Sequence, residues 1–234
     1  EGGDMQLAYS TDWVGVSYRE DADTSLEDSE LVFVGYGVNA PEKGWNDYEG
    51  LDMTGKTAVI LVNDPDYGTE TLDGPFNGKA MTYYGRWTYK FEEAARRGAI
   101  GALIVHETAG AGYGWNVIES PGGENYDVVR QPEDLTSLAL QGWISGETAD
   151  KLFADAGLDL ADLSEAARGK DFRPVDLDTS FSASFPVTSE VVQSQNVLAK
   201  ISGTERPQET VVYGAHWDAY GEGQPDELGR IYRA

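Results

Sequence analysis

Residues 89–105 read Tyr-Lys-Phe-Glu-Glu-Ala-Ala-Arg-Arg-Gly-Ala-Ile-Gly-Ala-Leu-Ile-Val. In the first half, Phe91 and Ala94 lie one helical turn apart, and Gly98 follows as a stop signal. The second half, residues 99–105, is a continuous apolar run of strand length. A short helix that leads directly into a buried strand is typical of a domain in which helices pack on a sheet.

Further strand signals lie on both sides of this stretch. They are apolar or β-rich runs at residues 31–38, 57–62, 138–144, from 175 onward, 195–201 and 209–215. Ser145 is a suitable N-cap for a helix that ends at Gly157, and a second short helix is expected to end at Gly169. This order of elements favours a mixed α/β or α+β domain, and of these we predict the α+β class. Two regions are expected to lack regular structure, namely an acidic, solvated connector at 20–30 and long loops at 106–137.

Composition excludes several classes of function. Lys and Arg total 17 and Asp and Glu total 41, which gives a net charge of −24. Such a chain repels phosphate, so we expect no nucleic-acid partner and no anionic membrane surface as a partner. The 40% hydrophobic content is enough for a core, and no apolar run reaches the ~18–20 residues of a membrane span. There is no cysteine, so thiol catalysis and thiolate zinc sites are absent.

The two histidines are the first candidates for metal-binding or catalytic residues. His216 follows the apolar run at 209–215, and Asp218 is placed to orient its ring toward a metal, although on spacing alone a local hydrogen bond is the commoner explanation. His106 ends the run at 99–105, and we interpret it as a histidine satisfied by local hydrogen bonds.

Acidic and glycine-rich motifs have simpler interpretations. The pairs Asp64/Asp66 and Asp176/Asp178 are compatible with calcium, but no Asp-x-Asp-x-Asp-Gly loop is present, so we interpret them as solvated turns. Residues 110–114 do not match the dinucleotide-binding pattern and are expected to form a flexible loop. The aromatic residues from 83 to 91 could form a stacking platform for sugar or peptide, but from the residues alone we favour core and rim packing of the helix that follows.

Three stretches together resemble a known family. Residues 31–47 read Leu-Val-Phe-Val-Gly-Tyr-Gly-Val-Asn-Ala-Pro-Glu-Lys-Gly-Trp-Asn-Asp, and residues 77–90 read Asn-Gly-Lys-Ala-Met-Thr-Tyr-Tyr-Gly-Arg-Trp-Thr-Tyr-Lys. The third stretch contains Ser-Gln-Asn-Val-Leu-Ala at 194–199 and Gly-Ala-His-Trp-Asp at 214–218. Over residues 30–234 the chain resembles bacterial zinc-dependent aminopeptidases of the leucyl-aminopeptidase-like kind, metallopeptidase family twenty-eight. In that family a protease-associated domain is inserted into the peptidase domain.

The resemblance implies a fold and a division of the chain. Residues 1–29 would flank the peptidase part, residues 30–190 would form the protease-associated domain, and residues 191–234 would hold the first strands of a truncated α/β zinc-peptidase domain. The protease-associated domain would be a β-rich sandwich or barrel-like β/β/α structure with a few short helices. A periplasmic or secreted location is also implied.

The resemblance assigns roles to particular residues. His216 would be a ligand of one of two zinc ions in the parent enzyme, and Asp218 would orient it. Because one histidine cannot hold a catalytic zinc, which takes three protein ligands, we expect this chain alone to be inactive and to bind no zinc tightly. The four aromatic residues Tyr83, Tyr84, Trp87 and Tyr89 are candidates for a substrate-facing surface.

These implications leave several functions open. The leading hypothesis is a non-catalytic protease-associated domain that positions peptide substrate or controls its access, with the remainder of the peptidase domain as its partner. One alternative is a part of an active enzyme completed by residues outside this chain, and another is a stand-alone peptide- or carbohydrate-binding module. The strands at 195–201 and 209–215 are expected to pair with residues 5–18 or with a second copy of the chain.

Overall fold

A computed structural model describes residues 5–19, 23–119, 125–131 and 138–216. The chain divides into two compact units, residues 1–191 and residues 192–234. In the described part of the first unit, mixed α+β structure is built around a curled six-stranded sheet with four helices. The α+β class expected from the sequence is therefore confirmed.

The described elements follow one another in chain order. The strands are β1 (Trp13–Val16), β2 (Asp23–Phe33), β3 (Asn39–Ala40), β4 (Trp45–Asn46), β5 (Thr57–Leu61), β6 (Gly101–Val105), β7 (Leu140–Ile144) and β8 (Val175–Pro186). The helices are α1 (Trp87–Arg96), α2 (Thr108–Ala111), α3 (Gly146–Asp155) and α4 (Leu160–Ala166). Three short 3₁₀ turns cover Pro41–Lys43, Tyr83–Gly85 and Trp115–Val117.

The large sheet has a parallel centre and antiparallel edges. Its strand order is β1-β7-β6-β5-β2-β8, and β2, β5, β6 and β7 run parallel to one another. The edge strands β1 and β8 pair antiparallel with β7 and β2. The carboxyl ends of the four parallel strands therefore meet along one edge of the sheet, where α/β proteins commonly place polar side chains.

Helices cover both faces of this sheet, which explains why its central strands are continuously apolar. Alternate residues of β5 belong to two different clusters, because successive side chains of a strand point to opposite faces. Val59 packs in the cluster that contains Phe153 of α3, and Ile60 packs in the cluster that contains Phe91 of α1. Every residue of β5 and β6 is buried.

The local signals for helix ends are confirmed. Ser145 caps α3 by accepting a hydrogen bond from the Thr148 N–H at 3.2 Å. Gly98 has φ +87°, a left-handed conformation that lets the chain leave α1 and turn into β6.

The prediction of an acidic connector at residues 20–30 is wrong for the part that the structure describes. Residues 23–30 belong to β2, with Thr24, Leu26 and Ser29 buried and the acidic side chains mostly on the exposed face. The period of two was hidden because the buried positions include two polar residues. The strand expected at 31–38 also ends earlier, at Phe33. Gly35 follows with φ +56°, and a side chain there would collide with the Phe172 ring.

The two strands expected near the C-terminus are not formed. Residues 192–216, the described part of the second unit and called here the C-terminal segment, contain neither helix nor strand, and all of them are exposed. A turn at 206–209 has an ion pair between Arg206 and Glu209 at 2.9 Å. The expected partner segment around 5–18 forms β1 but pairs with β7 instead. Pairing with a second copy of the chain stays a prediction.

Candidate functional site

The four aromatic residues proposed as a substrate-facing surface have different environments. Tyr89 is 4% exposed, and its hydroxyl is hydrogen-bonded to the backbone of Asn39. Tyr84 is partly buried between Phe76 and Tyr89, and its hydroxyl donates to Glu42 at 2.8 Å. Burial raises the pKa of both phenols, so both are neutral donors near neutral pH. These two tyrosines fasten the start of α1 to the β3–β4 ribbon.

Tyr83 and Trp87 point outward and remain available to a ligand. Tyr83 is 56% exposed and Trp87 is 44% exposed. Trp87 packs its ring edge-on against Phe91, whereas Tyr83 packs against Tyr89 and donates a hydrogen bond to Glu92. An exposed tryptophan that a buried aromatic ring holds in place offers a large apolar surface at low entropic cost.

Trp87 lines a surface groove of about 290 Å³, called here the Trp87 groove. Its lining residues are Tyr18, Trp87, Thr88, Phe91, Glu92, Ala95, Arg96, Tyr126, Asp127, Arg130 and Gln141. The groove therefore lies beside α1, between the end of the β1 region and the segment 125–131. Tyr126, another residue that lines the groove, is 80% exposed, so two large aromatic side chains line the Trp87 groove.

Charges of both signs surround this groove in equal number. Arg130 contacts Asp127 at 2.9 Å, and Arg96 lies 3.7 Å from Glu92. Burial, together with the charge of Asp127, raises the pKa of Tyr18, so that its hydroxyl stays protonated. The groove is therefore locally balanced, unlike the strongly acidic chain as a whole, and an acidic peptide is not repelled there by its immediate surroundings.

A second polar region lies inside the protein, at the carboxyl edge of the sheet. Lys90 of α1 is completely buried, and its ammonium donates to the backbone oxygens of Tyr36 and Asn63. These two residues follow β2 and β5, so Lys90 joins the ends of two neighbouring parallel strands. Burial lowers the pKa of Lys90 to about 7, although the charges of Asp47 and Asp64 oppose this shift.

Asp47 and Asp64 complete this polar interior cluster. Asp47 accepts from the Val38 N–H at 2.9 Å and from the Trp45 indole at 2.7 Å, and burial raises its pKa to about 6. Asp64 accepts from both the N–H and the hydroxyl of Thr82. The prediction that Asp64 lies in a solvated turn is wrong, because the residue is 0% exposed.

The other acidic pair is exposed, as expected, but lies on a strand rather than on a turn. Asp176 and Asp178 are both on β8, at an irregular part of its pairing with β2, and Asp178 has φ +49°. Asp176 accepts a hydrogen bond from the Asp178 N–H at 2.9 Å. The structure therefore shows a local turn-like hydrogen bond within an edge strand.

His106 is satisfied locally, in agreement with the sequence interpretation. It is buried, and its Nε2 lies 3.1 Å from the carbonyl oxygen of Tyr113, which places the proton on Nε2. The rings of Tyr113, Trp115 and Trp143 surround it, and burial lowers its pKa.

The flexible loop predicted at 110–114 begins as a helix. Residues 108–111 form α2, which Glu107 caps by accepting from the N–H groups of Ala109 and Gly110. Tyr67 also donates to Glu107, at 3.0 Å. The prediction of irregular structure from 106 onward is wrong here because a carboxylate at the N-cap stabilises one helical turn despite the glycine at position 110.

His216 lies at the end of the described chain, and Asp218 lies outside the described residues. His216 is exposed and belongs to the C-terminal segment. Over the ranges that the structure describes, there is no group of three His, Cys, Asp or Glu side chains that could hold a metal ion. Zinc therefore has no complete donor set among these residues.

The chain was compared with protein-family models and with characterised proteins, and neither comparison gave a match. Within the described ranges, no helix combines the length and apolar character needed to cross a bilayer.

Sequence reasoning missed Lys90 and Asp47. Lys90 shares a helical face with Ala94 at spacing i, i+4, and this spacing was the available signal for its burial. For Asp47 the signal was weaker, since a carboxylate beside Trp45 and Tyr48 is as compatible with a surface turn as with a buried acceptor.

Proposed function

We propose that residues 30–190 are a non-catalytic protease-associated domain inserted into a periplasmic or secreted dizinc aminopeptidase, where the domain positions peptide substrate or controls its access. The parent reaction would be metal-assisted hydrolysis of N-terminal peptide bonds. The family resemblance supplies this identity, and the specific protease-associated fold is part of the proposal.

The pairing of β2 with β8 is the observation that supports this proposal best. Asp23 lies opposite Pro186 and Thr24 lies opposite Phe185, so the two ends of the span 23–186 are adjacent at one side of the sheet, whereas β1, earlier in the chain, lies at the opposite edge. Adjacent ends are what allow one domain to be inserted into another without disturbing its host. The paired span, 23–186, is close to the span 30–190 that the family resemblance implies for the inserted domain.

The Trp87 groove is the surface that we assign to peptide. It combines the exposed rings of Trp87 and Tyr126 with polar groups that can accept or donate hydrogen bonds to a peptide backbone. The other three aromatic candidates do not line it. In this proposal His216 and Asp218 belong to the peptidase part, and their zinc site is completed by the rest of that domain.

Calorimetric titration of the whole chain with trileucine tests the assignment of the groove. We expect binding heat that Trp87→Ala abolishes and Tyr83→Ala leaves unchanged, because Tyr83 is an exposed aromatic residue outside the groove. Equal loss in both variants, or no heat in the unaltered chain, would contradict it.

Two further experiments test the alternative functions, a carbohydrate-binding module and a part of an active enzyme. Titration with maltotriose that gives Trp87-dependent heat, in the absence of trileucine binding, would favour a carbohydrate-binding module. Hydrolysis of leucine p-nitroanilide in the presence of zinc, abolished by His216→Ala, would show that the chain is part of a working catalytic centre and would overturn the non-catalytic assignment.

A further inference from the structure

Two buried carboxylate oxygens lie on the long connection between β5 and α1. Asp64 Oδ1 and Asp66 Oδ1 are both inaccessible, and neither accepts a hydrogen bond from any residue that the structure describes. Their sister oxygens are satisfied, since Asp64 Oδ2 accepts twice from Thr82 and Asp66 Oδ2 accepts from the Phe76 N–H at 2.8 Å. A buried carboxylate oxygen without a partner is costly, so each such atom needs a compensating group.

The charges in this region do not balance. The buried ammonium of Lys90 interacts electrostatically with the carboxylates of both Asp47 and Asp64. The carboxylate of Asp66 is a third acid, and it interacts electrostatically with Asp64. The Arg168 guanidinium, which donates to the backbone oxygens of Pro65 and Tyr67 on either side of Asp66, is a second cation in this region, so three acids accompany two cations. Only Pro65 separates Asp64 from Asp66 in the chain, so both carboxylates lie in the same short stretch of the connection.

Hydrogen bonds hold the two carboxylates in place. Thr82 fixes Asp64 from the far end of the connection, and Phe76 fixes Asp66 from its middle. Gly85 allows the first contact, because a side chain there would lie 3.1 Å from Asp64 Oδ2 and 3.0 Å from Asn63 Oδ1. Asn63 Oδ1 and Asp64 Oδ2 therefore both lie close to Gly85, and a side chain at this position would require them to shift.

We propose that Asp64 and Asp66 bind one hard divalent cation, calcium, through the two oxygens that lack partners. Calcium suits this position because it accepts carboxylate, carbonyl and water oxygens in irregular loops of variable geometry. A site with two carboxylates is completed by such neutral ligands, which explains why it differs from an Asp-x-Asp-x-Asp-Gly loop. The cation neutralises the excess negative charge and fastens residues 64–82 to the sheet edge. This inference is independent of the proposed function.

Calcium titration of the whole, EDTA-treated chain tests the site against a matched control. Asp66→Asn removes one ligand charge, and Asp73→Asn removes an exposed carboxylate from the same connection, so both change the net charge of the chain equally. We expect one calcium ion per chain in the unaltered protein and in Asp73→Asn, and an affinity lower by about tenfold or more in Asp66→Asn. Calcium should also raise the thermal midpoint of the first two proteins and not that of Asp66→Asn.

Terbium luminescence gives a second readout that does not depend on stability. The Trp45 ring lies 5.1 Å from the Phe76 ring, and the Phe76 N–H binds Asp66, so tryptophan excitation should sensitise a bound terbium ion. Calcium should displace the bound terbium ion and so reduce its luminescence, and Asp66→Asn should abolish the luminescence. We expect the same loss in Asp64→Asn, and if this variant does not fold, Asp66→Asn decides. The proposal would be overturned if Asp66→Asn and Asp73→Asn bound calcium equally well, or if calcium did not change the thermal midpoint of the unaltered chain. The two oxygens would then be hydrogen-bonded to ordered water.

Discussion

Residues 57–61 and 210–213 have similar strand-like sequences but different structures. The first run, Thr-Ala-Val-Ile-Leu, is β5, which pairs on both sides and is covered on both faces. The second, Thr-Val-Val-Tyr, lies in the C-terminal segment, where Val212 is 82% exposed and Tyr213 is 94% exposed. The difference shows that β propensity and apolar content are not enough, since a strand also needs neighbours that take its hydrogen bonds and cover its side chains.

The largest expected effect compares two leucines. Leu103 of β6 is 1% exposed and Leu198 of the C-terminal segment is 91% exposed. Leu103→Ala leaves a cavity in the core and should lower the free energy of unfolding by about 2–5 kcal/mol. Leu198→Ala should change it by no more than about 0.5 kcal/mol. Urea denaturation followed by circular dichroism measures both. A large loss in Leu198→Ala would show that the C-terminal segment is packed in solution, for example against a second copy of the chain.

A smaller effect compares two glycines. A methyl group at Gly85 would lie 2.9 Å from Met81 and about as close to the polar side chains of Asn63 and Asp64, whereas Gly203 has no atom within 4 Å of that position. Gly85→Ala should therefore cost about 1–3 kcal/mol, because the neighbours must shift in a dense region. Gly203→Ala should be close to neutral. Equal thermal midpoints for the two variants would contradict the close packing around Asp64.

Much of the first unit was predictable because its signals are local. Ser145 caps its helix with its own hydroxyl, Gly98 ends α1 by its own backbone conformation, and the runs at 57–62 and 99–105 are apolar enough to indicate strands covered on both faces. These features depend on a few neighbouring residues, so the amino-acid pattern contains all the information needed.

The remaining features depend on residues distant in the chain. Residues 23–30 form a strand because β8, some 150 residues later, pairs with them at positions such as Ser25 opposite Ser184 and Leu26 opposite Ala183. The burial of Lys90 depends on carbonyl oxygens that β2 and β5 bring together. The Trp87 groove likewise requires α1 and the segment 125–131 to meet. No local sequence pattern encodes these long-range contacts. The sequence therefore indicated Trp87 as a candidate ligand-binding residue but not the groove that it lines, and it did not indicate Lys90.

The final comparison is between two lysines, and it concerns pH. Burial lowers the pKa of Lys90 to about 7 from an unfolded value of 10.5, whereas Lys200 in the C-terminal segment is exposed. Between these two pH values the unfolded chain binds a proton that the folded chain has released, so the stability that Lys90 contributes rises with pH and is lost as pH falls toward 7. The slope for one group cannot exceed about 1.4 kcal/mol per pH unit. Lys90→Met should reduce the rise in unfolding free energy measured by urea denaturation over this window, and Lys200→Met should leave it unchanged. If the two variants gave equal slopes, Lys90 would keep its proton in the folded state, because its two carbonyl acceptors and the carboxylates of Asp47 and Asp64 together would outweigh the cost of burying an ammonium.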